Sequence, residues 1–265
     1  MDLALAFQAI LLGLIEGATE FLPISSTGHL IIAADFLQFN SDRGRVFEIV
    51  IQLGAILAIC WEYRLRLMQM CSRPGDPKTH HLLRNLLVAF MPAAVLGVTF
   101  HSSIKAYLFS PTTVACALIL GGIVILVVER TAREPVVTSL ETLDMKTAMK
   151  IGVAQSCALI PGVSRAGATI LGGVIFGLSR KTATEFSFFL AIPIMFSATG
   201  YDLYKNWSHL NADHFALFAL GFVAAFVSAL FVVRLLLRYV SNHDFRLFAW
   251  YRIALGTLVL VYFHY

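Results

Sequence analysis

Charge is scarce in this chain. Asp, Glu, Lys and Arg make up 14% of its 265 residues, against about 25% in a soluble domain. With 58% hydrophobic residues and a mean hydropathy of +0.77, a globule of this size lacks the polar surface to cover itself in water, which excludes a soluble enzyme. The 21 Phe and long apolar runs exclude disorder. The apolar surplus must face lipid. Cysteine is scarce too. Cys60, Cys71, Cys116 and Cys157 form no CxxC pair, so a thiolate metal site and a disulfide framework are excluded, and the thiols read as small buried hydrophobes. The start, Met1-Asp2-Leu3, has no basic n-region, so the first apolar segment is expected to stay in the mature protein. The net charge of +4 reads as basic loops on one membrane face, with no nucleic-acid partner.

What is present is a series of apolar runs of two lengths. Those near 46–62, 85–103, 107–128, 184–202, 214–236 and 247–264 reach the roughly 20 residues that a transmembrane helix needs. Four others, 3–15, 21–34, 151–164 and 166–179, are too short. The first two flank Glu16, Glu20 and Pro23, and the last two flank Pro161, Gly162 and Arg165. Short, Pro/Gly-interrupted pairs of this kind predict re-entrant helix–loop–helix hairpins.

The two pairs resemble each other. Gly13-x-x-Glu16 aligns with Gly152-x-x-Gln155, and the spans that follow open on Glu48 and Glu185. The sequence therefore predicts an all-α polytopic membrane protein forming a single integral membrane domain over 1–265. Its two halves, about 1–130 and about 147–265, would each hold one re-entrant hairpin plus three transmembrane helices. Threading the spans puts 14 Lys/Arg, from Arg64 through Arg246, on one side and only Arg43, Arg45, Lys105 and Lys205 on the other. By the positive-inside rule the first side is cytoplasmic. The first hairpin then opens from the outer face and the second from the inner face, an inverted repeat.

Ionisable residues inside apolar sequence are functional candidates by default, and Glu16, Glu20, His29, Arg165 and Arg252 are so placed. Glu16 and Glu20 share one helix face about 6 Å apart. They would repel unless one is protonated or a cation lies between them. A hard divalent cation, Mg²⁺ or Ca²⁺, fits, since it takes one or two carboxylates plus substrate phosphate oxygens. Ser25, Ser26 and Thr27 follow Pro23 and can cap the next helix, whose N-terminus binds anions. His29, one turn inside, is a candidate nucleophile or general base. Ser164 and Arg165 repeat the geometry without the acids and suit a phosphate group. If the two tips meet, they enclose a small polar site for a di-anionic headgroup beside a lipid wall.

The run Glu16-x-x-x-Glu20-Phe-Leu-Pro-x-Ser-Ser-Thr-Gly-His29, with Pro161-Gly-x-Ser-Arg165-x-Gly-Ala-Thr169, resembles the UppP/BacA family of undecaprenyl-diphosphate phosphatases. The likeness extends to Phe47-Glu48-x-x-Ile51-Gln52-Leu53-Gly54 and Glu185-Phe186-Ser187-Phe188. One position departs from the pattern, Ala166, where Ser is common after the Arg. The resemblance implies a hydrolase of the bacterial inner membrane that removes the terminal phosphate of a prenyl diphosphate lipid. It also implies recycling of the peptidoglycan carrier, bacitracin resistance, metal dependence and a site facing the periplasm. On that reading Glu16 and Glu20 hold the cation and the diphosphate. Arg165, Ser164, Ser25, Thr27 and Thr169 hold the phosphates. Either Ser26 attacks with His29 as base, or His29 attacks and Ser26 orients. A lipid-phosphate flippase is the rival reading of the same inverted repeat. The membrane lipid is a partner in either case, and a homodimer is left open.

Overall fold

The computed structural model describes residues 3–39, 41–73, 75–108, 110–205 and 215–264. Among the described residues eleven α-helices run in order: α1 Leu3–Thr19, α2 Ser26–Phe36, α3 Ser41–Glu62, α4 Arg64–Ser72, α5 Pro77–Tyr107, α6 Pro111–Thr131, α7 Met145–Gln155, α8 Arg165–Ile175, α9 Arg180–Lys205, α10 Phe215–Val240 and α11 Arg246–His264. Five of them, α5, α6, α9, α10 and α11, are long and apolar enough to cross a membrane, and α3 with α4 makes a sixth candidate bent by 72°. These are the six spans expected from run length. The bend into α4 was not expected. Asp213 and residue 214, at the start of one expected span, lie outside the described residues, as do the side chains of Arg43, Arg45 and Lys105.

The caps show why the chain breaks where it does. Asp76 and Ser110 accept the backbone N–H groups of Thr79 and Thr113, and a proline begins each helix, where its missing N–H costs nothing. Asp144 caps α7 by accepting from the N–H groups of Lys146 and Thr147. The hydroxyl of Thr147 also donates to it and is the first cause holding its carboxyl below the ordinary value.

Ion pairs identify the two ends of the bundle. Arg66 meets Glu141 at 2.9 Å, Arg234 meets Glu62 at 2.7 Å, and Arg180 meets Glu129. Glu129 also accepts the N–H of Phe245, at the entry to α11. The ends of α3, α6 and α10 and the starts of α9 and α11 therefore lie together. At the far end Gln8 donates to the carbonyl of Leu37, and Tyr262 donates to Asp35. Hairpin α1–α2 enters and leaves at this second end. Hairpin α7–α8 begins beside Glu141 and closes at Gly177, whose carbonyl accepts the N–H groups of Val136 and Val137, so it enters from the first end.

Small residues let the hairpins press into the bundle. A Cβ on Gly13 of α1 would lie 2.3 Å from the carbonyl oxygen of Gly221 in α10, and one on Gly152 of α7 would lie 2.4 Å from that of Ala89 in α5. Such contacts are how helices associate where lipid removes the hydrophobic drive. All four cysteines are free, as expected, but the expectation that they are buried is corrected: Cys71, Cys116 and Cys157 are exposed, and only Cys60 is even half-buried. On a lipid-facing surface a small apolar group gains little by turning inward, so apolar neighbours in sequence do not reveal burial.

Candidate active site

The two hairpin tips meet. The hydroxyl of Ser164 donates to the carbonyl of Leu22 at 3.4 Å, and Arg165 Nη2 donates to Glu20 Oε1 at 3.1 Å. Between the tips lies a cavity of about 190 Å³ lined by Glu20, Ser25, Ser26, Thr27, Gln52 and Arg165, together with residues of the second loop from Ala158 to Ser164. One water occupies about 30 Å³ of liquid, so the cavity holds several waters or a comparable polar group.

Local chemistry shapes both walls in the same way. Ser25 and Ser164 are the N-caps of α2 and α8. Each has a left-handed backbone, φ 70° and φ 72°, and each hydroxyl accepts the N–H three residues on, from Gly28 and Gly167. Non-glycine residues at positive φ carry strain and persist where the surroundings enforce them. The first residues of both helices, Ser26 and Thr27 of α2 and Arg165 of α8, line the cavity, and a helix N-terminus attracts anions.

Glu20 is at the centre. Its Oε2 accepts from Ser26 Oγ at 2.5 Å while its Oε1 is held by Arg165. The Glu20 and Arg165 side chains are only 9% and 12% exposed. Arg165 is anchored further by the carbonyl of Ser187 at 3.2 Å and by the sulfur of Met195, and its guanidinium lies over the Phe21 ring at 5.5 Å. Its Nε has no hydrogen-bond partner among the described residues.

The remaining candidates separate. Glu16, one helical turn before Glu20, is 2% exposed, and its Oε2 is buried without a hydrogen-bond partner among the described residues. Thr27 reaches the cavity wall. Thr169 stands behind it, fully buried, its single hydroxyl proton shared between the carbonyl of Arg165 at 2.8 Å and Gln155 Oε1 at 3.0 Å. His29 is turned away from Ser26. Its Nδ1 meets the carbonyl of Ser25 and its Nε2 meets Tyr251 Oη, both at 2.7 Å, and the two rings stack. A carbonyl only accepts, so Nδ1 carries the proton and Nε2 accepts from Tyr251. Two residues went without a role in the sequence reading. Gln52 lines the cavity from α3, and Arg252 lies fully buried beneath both loops. Gln52 belongs to the stretch from Phe47 to Gly54 that carries the family resemblance, and Arg252 is an ionisable residue within an apolar run.

A family model described as "Bacitracin resistance protein BacA" matches residues 9–258. The chain is 57% identical over 268 residues to the protein named undecaprenyl-diphosphatase of Methylobacillus flagellatus, covering 99% of this chain and 100% of that one. It is 58% identical over 262 residues to the undecaprenyl-diphosphatase of Nitrosospira multiformis, covering 98% and 96%. It is 59% identical over 263 residues to undecaprenyl-diphosphatase 2 of Rhodospirillum rubrum, covering 98% and 96%.

Proposed function

The chain belongs to the BacA family, and from that membership we propose that the cavity between the hairpin tips is where it hydrolyses undecaprenyl diphosphate to undecaprenyl phosphate and phosphate. The observation that carries the reading is the Ser26–Glu20–Arg165 chain of contacts. A serine hydroxyl bonded to a carboxylate is a nucleophile with its base in place, and an arginine beside it matches phosphate geometry.

The terminal phosphoryl group sits among Arg165, Thr27 and the N-termini of α2 and α8. Ser26 Oγ attacks its phosphorus, an Oγ–P bond forms, and the bridging P–O bond breaks to release undecaprenyl phosphate. The hydroxyl proton passes to Glu20 Oε2. Glu20 gives that proton up to solvent as undecaprenyl phosphate leaves. Water then attacks the phosphoserine phosphorus, a water proton passes to the freed Glu20 carboxylate and on to Ser26 Oγ as the Oγ–P bond breaks, and phosphate departs. Charge spreads over the equatorial oxygens in such transfers, so positioned cations and N–H groups supply most of the catalysis. His29 acts as a brace: it ties the strained carbonyl of Ser25 to Tyr251 of α11, and the role of base passes to Glu20.

The donor set fits a divalent cation, Mg²⁺ or Ca²⁺. The Oε2 of Glu16 is a buried carboxyl oxygen with no hydrogen-bond partner among the described residues. Among the described residues no group of three or more His, Cys, Asp or Glu forms a metal cage. Glu16 and Glu20 would hold the ion, with diphosphate oxygens and water completing its shell. When bound, the ion neutralises part of the diphosphate charge.

The paired tips support an inverted repeat. Gly13 and Gly152 make the same close approach, Ser25 and Ser164 the same strained cap, and the hairpins enter from opposite ends. The end that gathers Arg66, Arg180 and Arg234 is the cytoplasmic one by the positive-inside rule, which gives the α1–α2 hairpin and the site to the periplasmic side of the inner membrane. The test is phosphate release from undecaprenyl diphosphate by purified protein in detergent, where no second compartment exists for a flippase. Wild type turns over, and Ser26→Ala loses at least ~1,000-fold. A wild type that binds the lipid and releases no phosphate would overturn the proposal.

A further inference from the structure

Arg252 is the largest fully buried side chain of the described residues, 1% exposed in the middle of α11. A guanidinium has five N–H donors, and here every one meets a backbone carbonyl. Nε donates to Leu118 at 3.2 Å. Nη1 donates to Pro23 at 3.1 Å and Val163 at 2.9 Å, and Nη2 to Ala117 and Gly162, each at 3.0 Å. Among the described residues no carboxylate lies within ion-pair distance of it.

The identity of those carbonyls is informative. Pro23 stands two residues before the strained N-cap Ser25, and Gly162 and Val163 immediately precede the strained N-cap Ser164. Ala117 and Leu118 belong to α6. One side chain thus ties the α1–α2 loop, the α7–α8 loop and a membrane span to a single point, directly under the loop that walls the cavity. Gly121 makes room for it: a Cβ there would lie 2.1 Å from Nη2. Packing alone would not require this, because an unneutralised buried cation is costly and an apolar side chain could fill the same volume.

We propose that Arg252 is a positioning residue of the hydrolase. It clips the two hairpin loops in register, so that the helix N-termini of α2 and α8 converge with Ser26 and Arg165 on the same phosphoryl group. Its uncompensated charge adds to the positive field at the floor of the cavity. This inference rests on the cavity being the hydrolytic site. Two consequences separate the clip from the charge. Arg252→Lys keeps the charge but has a single nitrogen that cannot span two loops and a helix. Gly121→Ala keeps the arginine but displaces its Nη2.

The experiment measures kcat and KM for undecaprenyl diphosphate in detergent, per folded molecule counted by size-exclusion chromatography, for both single variants and the double variant. Arg252→Lys is expected to lower kcat about 100-fold, the scale of losing one preorganised donor, with KM within about 3-fold. Gly121→Ala is expected to lower kcat at least about 10-fold on the same principle of preorganisation, and the double variant to be little worse than Arg252→Lys, because both act on one clip. Wild-type kcat per folded molecule in either single variant, or fully multiplicative losses in the double, overturns the proposal. So does a loss confined to the yield of folded protein in both variants, which assigns Arg252 to folding alone. Ser26→Ala and Arg165→Ala run beside them: if those retain turnover, the site itself is misplaced; if they are inactive while the Arg252 and Gly121 variants are not, only the clip fails.

Discussion

Glu20→Gln perturbs the site at its centre while hardly changing its shape. The carboxylate makes two contacts inside the protein, accepting from Arg165 Nη2 at 3.1 Å and from Ser26 Oγ at 2.5 Å. A glutamine can accept at only one of these positions, and its amide nitrogen faces a donor at the other. If the nitrogen turns to Arg165, two donors confront each other and Ser26 keeps an acceptor too weak to take its proton. If it turns to Ser26, the base is lost outright. Either orientation removes general-base assistance, which contributes about 10²–10⁴ in rate, or about 3–5.5 kcal/mol of barrier. Stability also falls, because breaking a buried pair by removing one partner costs about 3–5 kcal/mol. Arg165 retains the Ser187 carbonyl and a face on the polar cavity, so about 3 kcal/mol, the lower end, is expected. Phosphate release from prenyl diphosphate in detergent reads the first effect, and thermal unfolding in the same detergent reads the second. A Glu20→Gln enzyme with turnover within about 3-fold of wild type would refute the assignment of the base, since even weak general-base catalysis exceeds that factor.

Glu16→Gln separates the two acids. Its Oε2 has no partner to lose, so folding stability should be nearly unchanged. Turnover should fall at least ~100-fold as an electrostatic stabiliser is lost, and protection against unfolding by added Mg²⁺ should vanish. Arg165→Lys keeps the charge but cannot serve Glu20, the Ser187 carbonyl and a phosphate together, so its loss of kcat should approach that of Arg165→Ala; near-complete rescue by lysine would reduce Arg165 to a counter-ion. A single Cys at Ser26, in a background without Cys60, Cys71, Cys116 and Cys157, should react with a membrane-impermeant thiol reagent in cells with a permeable outer membrane. Labelling only in inside-out vesicles would reverse the orientation.

Span count and the two broken hairpins were legible in the sequence because both depend on run length and on Pro/Gly interruptions, which are local. Helix α1 nevertheless runs on through Glu16 to Thr19, past the end of its apolar run, because a helix buried in the bundle tolerates polar residues on the face that meets the site. The kink at Tyr63 that creates α4 was not legible, since nothing in Glu62-Tyr63-Arg64 breaks a helix by itself. The site was legible as a set of residue types and only partly as a geometry. The i, i+4 spacing of Glu16 and Glu20 gives both the same face but cannot say which one meets Ser26. His29 was read beside the serines because it follows them in sequence, yet its Nε2 partner, Tyr251, is 222 residues away. Thr169 belongs to the motif and sits behind the cavity wall. Arg252 carries no motif, and its importance lies in five backbone carbonyls drawn from three separate elements, contacts that no sequence pattern encodes.

In the proposed mechanism Ser26, activated by Glu20, receives the phosphoryl group. Purified protein mixed with undecaprenyl diphosphate labelled in its terminal phosphate, quenched within one turnover and digested, tests it directly. Label is expected on the peptide carrying Ser26, stable in acid and labile in alkali, and absent from Ser26→Ala. Label that is labile in acid, stable in alkali and carried by His29 would contradict it.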